Sequence, residues 1–123
     1  MIRLLAVDDE QGVCDFIKDF FSARGYRVLT ATDPQAALSI VEKEHPRLVF
    51  LDVYLAGTSG LDILKTIKDT DPAVKVIMVT VANDLETRER SLAMGADAYI
   101  TKPFSKRYLE EVVIEKIIEL TRG

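Results

Sequence analysis

The stretch Leu48-Val49-Phe50-Leu51-Asp52 decides how this chain is read. Four apolar residues in succession mark a strand buried on both faces, as in a parallel sheet with helices above and below. One carboxylate ends the run. Residues 54–60 (Tyr-Leu-Ala-Gly-Thr-Ser-Gly) then interrupt it with two glycines before a helical pattern begins. Asp52 thus stands where a central strand leaves the core. In open α/β sheets ligands bind at such carboxyl ends.

Upstream, residues 2–7 form a short apolar run, a first strand, ending in the three acids Asp8-Asp9-Glu10. Val13, Cys14, Phe16, Ile17, Phe20 and Phe21 recur at helical spacing, and Gly25 offers a C-terminal stop. Residues 26–31 alternate and are less apolar, as suits an edge strand. Asp33 before Pro34 reads as an N-cap with proline in the first turn. That helix carries Ala37, Leu38, Ile40 and Val41 and stops near His45, before Pro46.

Downstream, Leu61, Ile63, Leu64 and Ile67 mark a third helix with Ser59 as its N-cap. Residues 74–80, around Val76-Ile77-Met78-Val79, form a fourth buried strand after the Asp71-Pro72 turn. A more polar helix over 84–94 bears Leu85, Leu92 and Met94 and closes at Gly95. Ala98-Tyr99-Ile100 is a short fifth strand leading into Thr101-Lys102-Pro103. Ser105 caps a last helix with Tyr108, Leu109, Val112, Val113, Ile117 and Leu120 on its inner side.

Five strands alternating with five helices predict an α/β fold, a doubly wound parallel sheet. The most apolar strands, the first, third and fourth, belong in the centre. The flavodoxin-like order 2-1-3-4-5 satisfies this and puts a switch point between strands one and three. A chain of 123 residues makes one domain, spanning residues 1–123. Its last residues, Arg122-Gly123, fit a complete protein and one domain of a longer protein equally well.

Composition excludes several function classes. A net charge of −4 offers no basic stripe, which argues against direct nucleic acid binding. No apolar run approaches the roughly 20 residues needed to span a membrane, and the N-terminus lacks a signal-peptide layout. The sole cysteine, Cys14, excludes an internal disulfide and fits the reducing cytoplasm. Its place among phenylalanines makes it a packing residue. His45, the one histidine, reads as a surface residue.

The strand ends carry the chemistry. Asp8, Asp9 and Asp52 converge on the switch point, where uncompensated acids repel one another. A divalent cation relieves that repulsion, and a partly open carboxylate site suits Mg²⁺ (or Mn²⁺). Asp9 and Asp52 are expected as direct ligands, with Asp8 acting directly or through a water. Thr80 ends the fourth strand with a hydroxyl donor, and Lys102 ends the fifth with a mobile ammonium. Such a set equips a carboxylate nucleophile to accept a phosphoryl group. Taken singly, each residue has a plainer role: the acids cap a helix, Thr80 favours a strand, Tyr99 packs in the core and Lys102 is solvated.

The combination Asp8-Asp9, Asp52, Thr80, Tyr99 and Lys102-Pro103, spread over essentially the whole chain, resembles the receiver domain of two-component response regulators. The resemblance implies that Asp52 is the phosphoacceptor of a phosphorelay, forming an aspartyl phosphate. It implies Mg²⁺ at Asp8, Asp9, Asp52 and the Tyr54 carbonyl, Thr80 and Tyr99 as a switch pair, and Lys102 on the phosphate. Lys102-Pro103 matches a junction that is cis in the family, and cis bonds are nearly confined to X-Pro. The implied partners are a sensor histidine kinase or phosphotransfer protein, and an output domain or target at the helix 4–strand 5–helix 5 face. A phosphorylation-dependent dimer is also compatible. The function implied is a signalling switch, not an enzyme.

Leu55-Ala56 departs from the family's common Met-Pro and predicts a less rigid loop. Val81 stands where a small residue is usual, and Tyr54 is bulky beside the site, so both bear on donor access and phosphoryl lifetime. Three other readings fit less well. An aspartyl-phosphate phosphatase wants a second Asp where Tyr54 stands. A flavin or nucleotide binder wants a glycine- or hydroxyl-rich loop in place of Asp8-Asp9-Glu10. A degenerate receiver that only binds partners would not retain the full acidic set.

Overall fold

Parallel strands and helices alternate in the computed structural model, which describes residues 1–81 and 84–122. In chain order they are β1 (Arg3–Val7), α1 (Gln11–Ser22), β2 (Arg27–Ala31), α2 (Pro34–Glu44), β3 (Leu48–Asp52), α3 (Gly60–Thr70), β4 (Lys75–Val81), α4 (Leu85–Ala93) and β5 (Ala98–Lys102). The last helix, α5, runs over 106–121 and contains a π-helical turn at Leu109–Val113. A small hairpin, Tyr54–Leu55 against Thr58–Ser59, joins β3 to α3.

The sheet order is β2-β1-β3-β4-β5, with every pair parallel. It is the flavodoxin-like order expected from the hydrophobic runs. Strand alternation divides the core into two layers. Leu5, Val7, Val49, Leu51, Val76 and Met78 face α2, α3 and α4. Leu4, Ala6, Leu48, Phe50, Ile77 and Val79 face α1 and α5. β2 and β5 are the edges, and β3 is buried along its length.

Three helix starts follow the expected caps: Asp33 accepts from Ala36 N, Ser59 from Leu61 N and Ser105 from Tyr108 N. Asp84, expected within the fourth helix, instead caps it and accepts from Thr87 N. His45 closes α2 in the left-handed region and is exposed. Cys14 is buried, and its thiol donates to the Asp8 carbonyl at 3.4 Å.

Two inner-face expectations need correction. Val112 is exposed although heptad-like spacing placed it inward. The π turn adds a residue to that turn and rotates Val112 out while Leu109, Val113 and Ile117 stay buried. Phe16 is also partly exposed, and its ring stacks on Phe104 at the mouth of a groove. Among the described residues, no helix is long and apolar enough to cross a membrane.

Candidate functional site

The acids and the lysine meet at the carboxyl end of the sheet because strand alternation aims them alike. Asp52 shares the parity of Leu48 and Phe50, and Lys102 that of Ala98 and Ile100, on the α1/α5 side. Asp8, directly after β1, follows Leu4 and Ala6 in the same parity. Thr80 has the opposite parity, that of Val76 and Met78, and belongs to the α2/α3/α4 side. The site therefore straddles the top of the sheet: its charges lie on one layer and its hydroxyl on the other.

Lys102 Nζ lies 2.7 Å from Asp8 Oδ2 and 3.2 Å from Asp52 Oδ2, bridging two buried carboxylates. The other Asp8 oxygen accepts from Glu10 N at 2.9 Å, and the other Asp52 oxygen from Tyr54 N at 3.3 Å. Burial raises the Asp52 pKa above the ordinary carboxylate range, and the Asp8 charge adds to the rise; Lys102 only partly offsets them. For Lys102, burial disfavours the charged form, but bonds and charges from Asp8 and Asp52 outweigh it and raise its pKa. The ammonium is locked on.

Asp8, Asp9 and Glu10 bring carboxylate oxygens within 4.8 Å of one another. Asp9 is exposed and Asp8 buried, so the cluster opens to solvent on one side. Four carboxylates with one ammonium, all donors being oxygen, fit a hard divalent cation. Glu10 was assigned no ligand role in the sequence, although the run of three acids was its signal. Asp52 joins this group through Lys102.

Thr80 Oγ1 is buried and has no hydrogen-bond partner among the described residues. A buried hydroxyl left unpaired costs roughly 1–3 kcal/mol, so it stands ready for an acceptor. Tyr99 is partly buried beside Met78, on the same sheet face as Thr80. The Lys102–Pro103 peptide bond is cis. Tyr54, two residues after Asp52, is 65% exposed, and Val81, directly after Thr80, is 57% exposed.

The loop after Asp52 is a two-residue turn with Ala56 at φ 47° and Gly57 at φ 79°. Both values suit a type I′ hairpin. A proline at 56 could not take that φ, so the Leu55-Ala56 departure corresponds to a different turn. Leu55 is fully buried and anchors it. Gly60, at the start of α3, passes so close to Asp52 and Val53 that a Cβ would overlap the Asp52 carbonyl oxygen. Nothing in the hydrophobic pattern marks that contact.

A family model described as the response regulator receiver domain matches residues 4–114. The sporulation initiation phosphotransferase F of Bacillus subtilis is 34% identical over 111 residues, covering 90% of each chain. The probable transcriptional regulatory protein TcrX of Mycobacterium tuberculosis is 34% identical over 92% of this chain and 47% of its own length. This chain spans about half the length of most such curated relatives. The crystal structure of the receiver domain of NtrX from Brucella abortus is 36% identical, covers 94% of this chain and 98% of that one, and superposes with a TM-score of 0.86.

Proposed function

We propose that Asp52 is a phosphoacceptor, on the premise that this chain belongs to the response regulator receiver domain family. The observation that carries the reading is Lys102 Nζ seated between Asp8 and Asp52, with a buried Thr80 hydroxyl, unpaired among the described residues, at the end of the strand next to that of Asp52. A phosphoryl group on Asp52 would offer oxygens to both donors. Mg²⁺ (or Mn²⁺), held by Asp8, Asp9, Asp52 and the Tyr54 carbonyl, would supply charge neutralisation for those oxygens. Asp52 attacks the phosphorus as the carboxylate while the donor's histidine N–P bond breaks and its imidazole leaves with the electron pair; Lys102 offsets the added charge, and Thr80 donates to one phosphoryl oxygen.

Thr80 and Tyr99 then form the switch. Drawing Thr80 toward the phosphoryl group frees space on its face of the sheet, and Tyr99 turns into it. The surface made by α4, β5 and α5 changes as a population shift set by contacts to the new group. An output domain or target protein reads that surface, directly or through a phosphorylation-dependent dimer. The chain assists its own phosphorylation and dephosphorylation and is a switch, not an enzyme with free substrate. Residues 1–123 act as one unit, without direct contact to nucleic acid or membrane.

The donor is a sensor histidine kinase or a phosphotransfer protein. A groove of about 520 Å³ beside Lys102, bordered by Val13, Phe16, Val81, Pro103 and Phe104, supports docking of an apolar helix face there. Tyr54 and Val81 narrow the approach to Asp52, which favours a docked protein donor over small ones and prolongs the phosphoryl lifetime. The free, buried Cys14 agrees with a cytoplasmic setting. Transfer from a phosphohistidine-bearing kinase domain to the wild type, and none to Asp52→Asn, is the expected result. Transfer to both proteins would refute the assignment.

A further inference from the structure

We propose that Arg88 is a positioning residue that holds Tyr99 in its resting place and so sets how readily Asp52 is phosphorylated. The inference rests on the phosphoacceptor reading and adds a residue to its regulation. The Arg88 guanidinium carbon lies 4.1 Å from the centroid of the Tyr99 ring, a cation–π contact between α4 and β5. α4 is otherwise thinly attached. Of its nine residues only Ser91 is buried, while Leu85 and Leu92 are exposed. Ser91 Oγ donates to the Arg88 carbonyl, which fixes the turn that carries the guanidinium. A helix with so few buried apolar contacts moves at low cost, so one specific tie weighs heavily in its placement.

Register supplies the link to the site. Tyr99 pairs with Met78, and Thr80 lies two residues farther along the same strand, on the same face. Among the described residues Thr80 Oγ1 has no partner while Arg88 covers Tyr99. A ring that moves into space vacated by Thr80 must leave the guanidinium. Arg88 and the phosphoryl group therefore compete for opposite positions of one ring. Removing Arg88 enlarges the fraction of molecules already in the second arrangement, and the phosphorylation rate scales with that fraction.

The test compares wild type, Arg88→Gln, Arg88→Lys and Arg90→Gln. Arg90→Gln removes the same charge from the same helix, whose cation–π contact with Tyr99 among the described residues is made by Arg88. Two readings are taken: the rate of phosphorylation by acetyl phosphate with Mg²⁺, followed by intact mass, and the Tyr99 resonance in fluorotyrosine-labelled protein. In Arg88→Gln the rate rises about two- to five-fold, the ratio expected for a cation–π contact at an exposed position. The Tyr99 resonance of the unphosphorylated variant moves part of the way to its phosphorylated position. Arg88→Lys lies between Gln and wild type, and Arg90→Gln matches wild type.

Equal effects of Arg88→Gln and Arg90→Gln would overturn the proposal in favour of a general charge effect on the donor. An unmoved resonance with an unchanged rate would overturn it outright. Wild type that takes no phosphoryl group from acetyl phosphate or from a phosphohistidine-bearing kinase domain would remove the underlying reading as well, an outcome distinct from normal phosphorylation of all four proteins at one rate.

Discussion

Gly60 backs directly onto Asp52: any Cβ at 60 would overlap the Asp52 carbonyl oxygen and crowd Val53. The obstacle is backbone, which cannot swing aside. Gly60→Ala should therefore cost about 1–3 kcal/mol, as overpacking does. The paired control is Gly12→Ala on α1, where a Cβ meets nothing within 4 Å. Denaturant midpoints should fall for the first and hold or rise for the second.

Ala56 sits at φ 47° beside Gly57 in a turn that prefers Asn-Gly or Gly-Gly. An alanine in the left-handed region carries a strain of roughly 1–2 kcal/mol. Ala56→Gly and Ala56→Asn should relieve part of it and raise the melting temperature. Ala56→Pro should lower it, because the ring holds φ near about −65°.

These two positions show where sequence reading ended. Runs such as Val76–Val79 and the lone acid after Leu51 revealed strand order and the strand-end acids, because burial and parity follow from composition along a strand. Val112 was misplaced since a π turn changes the period without changing the residues. The Gly60 approach, the φ at Ala56 and the stacking of Arg88 on Tyr99 depend on backbone path between elements. No local pattern encodes them. Glu10 was the reverse case, visible in the run of acids but given no ligand role.

Burial and the Asp8 charge raise the Asp52 pKa, and the sign of the stability effect follows. The folded state binds this proton more tightly than the unfolded chain. Stability from Asp52 is thus fully present below the unfolded carboxylate pKa and is lost as pH rises through the folded one. At neutral pH, without divalent cations, Asp52→Asn should melt higher than wild type by a few degrees, about 4 °C for each kcal/mol in a domain of this size. The difference should shrink as the pH is lowered toward the ordinary carboxylate range. Thermal melts at several pH values, in chelator, measure it.

Repulsion among Asp8, Asp9, Glu10 and Asp52 makes a divalent cation stabilising. Mg²⁺ at ten times its dissociation constant should add about 1.4 kcal/mol to wild type. Asp9 is exposed and accepts a long bond from Ala56 N at 3.4 Å. Asp9→Ala should therefore lose little packing, raise the metal-free melting temperature slightly by relieving part of that repulsion, and abolish the Mg²⁺ response. A Mg²⁺ response retained in Asp9→Ala would remove Asp9 from the ligand set.

The site's chemistry turns on whether Asp52 takes a phosphoryl group. Intact mass after incubation with acetyl phosphate, with and without Mg²⁺, on wild type and Asp52→Asn, tests it most directly. One base-labile phosphoryl group, dependent on Mg²⁺, is expected on wild type alone. A phosphoryl group of equal yield on Asp52→Asn, or one that forms without Mg²⁺, would contradict it.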